Sequence, residues 1–392
     1  MTSPRIPLIR ADLPALESLE AEFREILGNG RVTNFGRYVQ QFEAEAGNYL
    51  GTDAVCLSSA TAGLVMTLQA LGVPRGSRVA MPSFSFVATG QAVLYAGCTP
   101  VFLDITEDGN VDPEDLRRTL RQRLDVRAAL LVHMYGLPCQ TDAIDAVVRE
   151  ERGPRGAGLP VLYDAAHAFG SARHGIRVGG EGAAEIFSTS VTKVMTSVEG
   201  GIVSSHDAKL IARLKKMRNY GIESNYDAQY PGLNGKMSEF HALVGLRNLA
   251  RLDDLLEARS SRAAFYARQI HAATSFRVME APAGTLSTYK DYTILLPPRF
   301  KARRNAIMEF LAARGIETRA YFYPPIHEQT FFKQFADRPL PVTEDLSRRV
   351  ITLPFYSTIS EDEMRAVAAA LADAEAACRP DPAGRVRQEA RA

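Results

Sequence analysis

The stretch FSTSVTKVMTSVEGG, residues 187–201, sets one amine, Lys193, among the hydroxyls of Ser188, Thr189, Ser190 and Thr192, between two apolar strand-like runs. A lysine attacks an aldehyde only when neutral, so one that forms a covalent bond must be partly desolvated or near other cations. Upstream, VLYDAAHAFG (161–170) ends a buried run on Asp164 and places His167 three residues on. An acid at the carboxyl end of a parallel strand stands where open α/β sheets bind ligands, and it can hold a ring nitrogen protonated. Taken alone, Asp164 is equally well a helix N-cap and His167 a packed polar residue.

A third piece is LSSATAG (57–63): a strand, small residues, then a helix. Small side chains let backbone amides approach an anion at a helix start, although an ordinary serine cap has the same form. No G-x-G-x-x-G follows this strand, which disfavours a dinucleotide. MPSFSFVATG (81–90) adds Phe84 and Phe86, either of which could stack on a flat ring or fill a core. An amine for an aldehyde, an acid for a pyridine nitrogen and a cup for a phosphate, in this order, are the parts pyridoxal phosphate requires.

These residues need a scaffold. Apolar runs at 54–57, 78–82, 100–105, 128–136, 160–166, 185–190 and 201–205 alternate with helical patterns at 60–71, 87–97 and 112–120, the last with Asp112 as N-cap and Pro113 at N1. Buried strands alternating with helices predict an α/β fold with a largely parallel, doubly covered sheet. Beyond His206 the spacing predicts helices over 208–221, 237–273, 304–315 and 360–378, the last opened by a Ser360/Glu363 capping box, and strands at 289–297 and 317–322. The 392 residues exceed one ordinary core, so we expect two domains, 1–250 and 251–378, with 379–392 a disordered tail.

A net charge of +1, with only the short basic run RLKKMR, argues against nucleic-acid or anionic-membrane partners. Four scattered cysteines form no metal or disulfide pattern, and the opening residues lack a secretory h-region, so a reducing cytoplasmic setting is expected.

From Asn34 to Asp373 the chain resembles the DegT/DnrJ/EryC1/StrS sugar aminotransferases, within the fold-type I pyridoxal-phosphate enzymes. The likeness rests on SSATAG, PSFSFVATGQAVLYAGCTPVFLDI, HMYG, YDAAHAFG, FSTSVTKVMTSVEGG, RNYG, GLNGKMSEFHALVGL and YFYPPIH. It implies a large domain with a mostly parallel seven-stranded sheet and a smaller C-terminal α+β domain. It implies that Lys193 bonds the cofactor aldehyde and later acts as base, Asp164 pairs with the pyridine nitrogen and Phe86 stacks on the ring. Ala60, Thr61 and Ser188 would hold the phosphate, and His167 would lie near the phenolic oxygen. Asn234 would reach the phosphate of a neighbouring subunit, making an obligate homodimer. The implied reaction moves an amino group from L-glutamate to a nucleotide-linked keto sugar, a 4-keto-6-deoxyhexose or a 3-keto relative. An aminocyclitol or keto-polyol acceptor, a sugar dehydratase and a non-catalytic ligand-binding module are the alternatives; relatives that dehydrate sugars carry histidine in place of the lysine present here at position 193.

Two segments depart from the family pattern: LNGKM (233–237) where relatives often have YNYRM, and TYKDYTI (288–294) where many have aromatic–His–aromatic. Candidate substrate contacts are Lys236, Tyr289, Lys290, Arg319, Tyr321, Tyr323 and His327, each of which an ordinary packing role suits equally well.

Overall fold

All seven apolar runs between residues 53 and 205 become strands of one sheet in the computed structural model, which describes residues 5–153 and 158–379. The strands, with a short hairpin among them, are β1 Asp53–Leu57, β2 Arg78–Pro82, β3 Thr99–Leu103, β4 Val126–Val132, β5 Val161–Asp164, the hairpin β6 Ala172–Arg173 and β7 Ile176–Arg177, then β8 Ala184–Ser188 and β9 Gly201–Ser205. The sheet order is β1-β9-β8-β5-β4-β2-β3. Only β9 runs antiparallel to its neighbours, β1 and β8; the other pairs are parallel. Helices α1 Glu20–Asn29, α2 Arg37–Leu50, α3 Ala60–Ala70 and α4 Val87–Tyr95 include the two that begin at the sheet's carboxyl edge, α3 and α4. Both faces of the sheet are covered: Leu64, Met66 and Val93 pack with Leu130 and Ile186 on one, and Leu116, Leu120 and Ile144 with Leu131 and Tyr163 on the other. This is the buried environment that uninterrupted apolar strands require.

The later residues build a second, antiparallel sheet from Arg277–Val278, Tyr292–Leu295 and Val350–Leu353, backed by the helices Leu252–Ala273, Arg304–Ala312 and Glu361–Ala377. The capping box forms as expected: Ser360 accepts from the Glu363 amide while Glu363 takes the Ser360 amide. Two expectations fail. The helix over 237–273 is two helices, Glu239–Leu249 and Leu252–Ala273, parted at Arg251, whose guanidinium bonds Asn248 and the Asp12 carbonyl. The strand over 317–322 is reduced to a single bridge, Arg319 to Thr352, before the chain turns inward at Tyr321 and Phe322. Apart from Arg379, the tail 379–392 lies outside the described residues. Among the described residues no helix is long and apolar enough to cross a membrane.

Candidate active site

The carboxyl ends of β2, β4, β5 and β8 and the amino ends of α3 and α4 converge on a cavity of about 400 Å³. Its wall holds Ser59, Ala60, Thr61, Ser85, Phe86, Asp164, His167, Ser188, Ser190, Thr192, Lys193 and Glu199. Seven of the eight residues expected to form a site are therefore together. The eighth, Asn234, is exposed in the loop facing Asn219 and does not line this cavity.

Each wall has a local cause. Ser59 caps α3 by accepting the Ala62 amide at 3.1 Å. That bond leaves the Ala60 and Thr61 amides, first in the helix, directed toward the cavity end, where the helix dipole favours an anion. The lysine loop is stitched by its own hydroxyls. Thr189 and Ser197 share a 2.6 Å hydrogen bond, and Thr196 donates to the Thr189 carbonyl at 3.2 Å. Ser188, Ser190 and Thr192 line the cavity, where Ser188 Oγ accepts the Ser190 amide and Ser190 Oγ donates to Glu199, each at 3.4 Å. The loop closes against α3 at Gly201, where a side-chain carbon would stand 2.4 Å from the Ala60 nitrogen, so only glycine permits this approach. The two phenylalanines also separate: Phe84 is fully buried against Tyr135, while Phe86, 58 % exposed, begins α4 at the cavity rim.

Asp164 is buried and accepts from Thr89 Oγ1 at 2.8 Å and from the Ala166 amide at 3.2 Å. Burial pushes its carboxyl up; Thr89, the Ala166 amide, Lys193 and His133 oppose that. Burial, reinforced by the Lys290 ammonium, brings the Lys193 amine down to about 8, against the pull of Asp291, Asp164 and Glu199. Burial, then Lys193 and Lys290, holds His167 well below the usual imidazole range. The cavity thus keeps its amine deprotonated more readily than ordinary lysine and offers a buried acid that would gain from a cationic partner. An amine so tuned, an acid on the neighbouring strand and open helix amides fit a phosphorylated pyridine aldehyde.

Of the candidate substrate contacts, Lys290 and Tyr321 line the cavity. Tyr289 opens to an adjoining cavity. Lys236 reaches the Asn219 side chain at 3.4 Å, Arg319 pairs with Glu317 at 2.6 Å, Tyr323 lies under the Arg304 guanidinium, and His327 is buried against Ser83 at 2.6 Å. The sequence reading overlooked Thr89, Glu199, Asp291 and Phe322. Thr89 had one local signal, a hydroxyl four residues after Ser85 in the first turn of the helix; the two share a 2.8 Å bond.

A family model described as the DegT/DnrJ/EryC1/StrS aminotransferase family matches residues 16–372. An Escherichia coli protein named dTDP-4-amino-4,6-dideoxy-D-glucose transaminase is 31% identical over 92% of this chain and 96% of its own length. An Acidithiobacillus ferrooxidans protein named UDP-N-acetyl-3-dehydro-alpha-D-glucosamine 3-aminotransferase is 30% identical over 85% and 87%. The crystal structure of DesI in the presence of its TDP-sugar product superposes with a TM-score of 0.88 at 32% identity, covering 97% of this chain and 94% of that one. The fold, the converging site and these likenesses agree: the chain belongs to the DegT/DnrJ/EryC1/StrS aminotransferase family, and it is an aminotransferase.

Proposed function

We propose that this aminotransferase uses pyridoxal phosphate to carry an amino group from L-glutamate to a nucleotide-linked keto sugar, at paired sites in a homodimer. The observation that carries the reading is the placement of Lys193, Asp164 and the start of α3 around one cavity. When bound, pyridoxal phosphate supplies an aldehyde for the amine and a ring that withdraws electrons from the carbon losing its proton.

The chain's own residues do the rest. The Ala60 and Thr61 amides, with Ser188, hold the phosphate. Phe86 covers one ring face from the rim of the cavity. Asp164, kept oriented by Thr89, faces the ring nitrogen and holds its proton in place, since each charge favours the other. Lys193 would hold the aldehyde, and its amine, lowered to about 8, would move the proton from the donor's α-carbon to the acceptor carbon. Asn234, exposed and not part of its own cavity's lining, reaches the phosphate held by a second copy. The named relatives work on dTDP- and UDP-linked sugars, which supports a nucleotide-linked acceptor.

The test is mass spectrometry of products formed from a panel of nucleotide-linked keto sugars with glutamate. A mass matching replacement of the keto oxygen by an amine is expected for at least one member. A coloured enzyme that glutamate bleaches, yet that aminates no sugar, would overturn the sugar assignment alone. A chain that binds no pyridoxal phosphate would overturn the whole reading.

A further inference from the structure

Two buried polar atoms without a hydrogen-bond partner face each other beside the site: Asp291 Oδ2 and His167 Nδ1, 3.8 Å apart. The other oxygen of Asp291 is held by Lys290 Nζ at 2.6 Å, and both residues are 5 % exposed. A buried ion pair is a poor source of stability, and an apolar pair of similar size would serve the packing as well or better. The backbone that delivers it is also constrained. Tyr289 sits at φ 45°, in the left-handed region that a tyrosine rarely occupies. The buried guanidinium of Arg259 donates to the carbonyls of Thr288 and Tyr289, and the Lys290 amide donates to the Tyr135 carbonyl at 3.1 Å. Thr288 Oγ1 donates to the carbonyl of His167 itself. The segment 288–291 is therefore fastened to the same backbone that carries the imidazole.

We propose that Asp291, steadied by Lys290, is a positioning residue that takes the Nδ1–H of His167 and leaves Nε2 as the nitrogen offered to the cavity. The charged groups around the imidazole are Lys193 from the lysine loop and the Lys290–Asp291 pair; the phenols of Tyr135 and Tyr321 also face Asp291. Burial first, then the neighbouring Lys193 and Lys290, keeps the ring neutral, and a neutral imidazole has a single N–H whose place is set by the partner of one nitrogen. Phe322, stacked on the ring at 6.3 Å and 18°, keeps its plane. With Nδ1–H given to Asp291, Nε2 can take a proton from an acidic hydroxyl in the cavity and hold it there. The contact is longer than a hydrogen bond, as is common before a ligand draws such groups together. The consequence for turnover rests on the amino-transfer reading above; the tautomer does not.

The test uses ¹⁵N-histidine-labelled full-length protein stripped of bound cofactor, with the long-range proton–nitrogen correlation of His167 recorded at neutral pH. A protonated Nδ1 and a bare Nε2 are expected in the unaltered chain, and a protonated Nε2 would overturn the proposal. The double variant Lys290→Met/Asp291→Leu removes both charges and leaves neither unpaired. It should shift the ring toward the Nε2–H form and lower kcat about tenfold or more, with the unfolding midpoint unchanged or raised. An unaltered tautomer in a folded double variant would equally overturn it. Should the double variant not fold, the spectrum of the unaltered chain still decides. Because the spectrum needs no cofactor, failure of the amino-transfer reading would appear separately, as the absence of amine transfer.

Discussion

Thr89 Oγ1 and Asp164 Oδ2 share a 2.8 Å hydrogen bond across 75 residues of chain. The hydroxyl sits one turn into α4 and fixes the face that Asp164 turns to the cavity. Thr89→Val keeps the shape and removes the donor. A buried carboxylate that loses a partner costs about 1–3 kcal/mol. We expect pyridoxal phosphate to bind the cofactor-free variant about tenfold more weakly, measured by titration, with Thr89→Ser near the unaltered chain. Equal affinity for Thr89→Val would remove this residue from the site.

The Lys193 amine, lowered to about 8, has its protonated form disfavoured in the fold. The penalty is fully present below that value and fades as pH rises toward the ordinary lysine value of 10.5, so the stability of cofactor-free protein should climb over that interval. Reaction of Lys193 with an aldehyde probe, trapped by borohydride and read by mass spectrometry, should follow a midpoint of about 8. Lys290→Met removes a neighbouring cation and frees Asp291 to attract the ammonium form, so both changes move the midpoint upward. A midpoint that stays in place would mean the two amines do not sense each other.

Gly201→Ala would put a carbon 2.4 Å from the Ala60 nitrogen, against rigid backbone at the start of α3. We predict loss of cofactor retention after dialysis, with far-ultraviolet circular dichroism retained. Retention equal to that of the unaltered chain would show that the helix start does not bear on the phosphate.

Sharing of sites between subunits has a direct readout. Lys193→Ala and Asn234→Ala chains, each expected to be impaired alone, should regain activity when co-expressed. A hybrid dimer then holds one site with an intact lysine from one chain and an intact asparagine from the other. No recovery in purified hybrids would place Asn234 in its own subunit's site or outside any site.

Much of this site was legible locally. The alternation of apolar runs and helical patterns placed all seven strands of the main sheet, because side-chain periodicity is written within a few residues. Lys193 and Asp164 stood out because each ends or follows such a strand. The helix Thr141–Arg152 went unread, and the break at Arg251 carried no glycine or proline to mark it. The segment 317–322 looks like a strand, yet within it Arg319 alone forms a β-bridge.

The sequence by itself determined the α/β alternation, the strand ends bearing Asp164 and the lysine loop, and the hydroxyl-rich start of α3, since each is a local pattern. Only the tertiary structure decided that Phe86 and not Phe84 faces the cavity, that Thr189, Thr196 and Ser197 tie the loop together while Ser188 lines the cavity, and that Asp291 turns its unpaired oxygen toward His167. Those facts depend on which distant segments close upon one another, as Thr89 does on Asp164 and Thr288 on His167. Closing a long loop is costly in entropy and is offset by the packing of the whole core, a balance that no window of neighbouring residues contains.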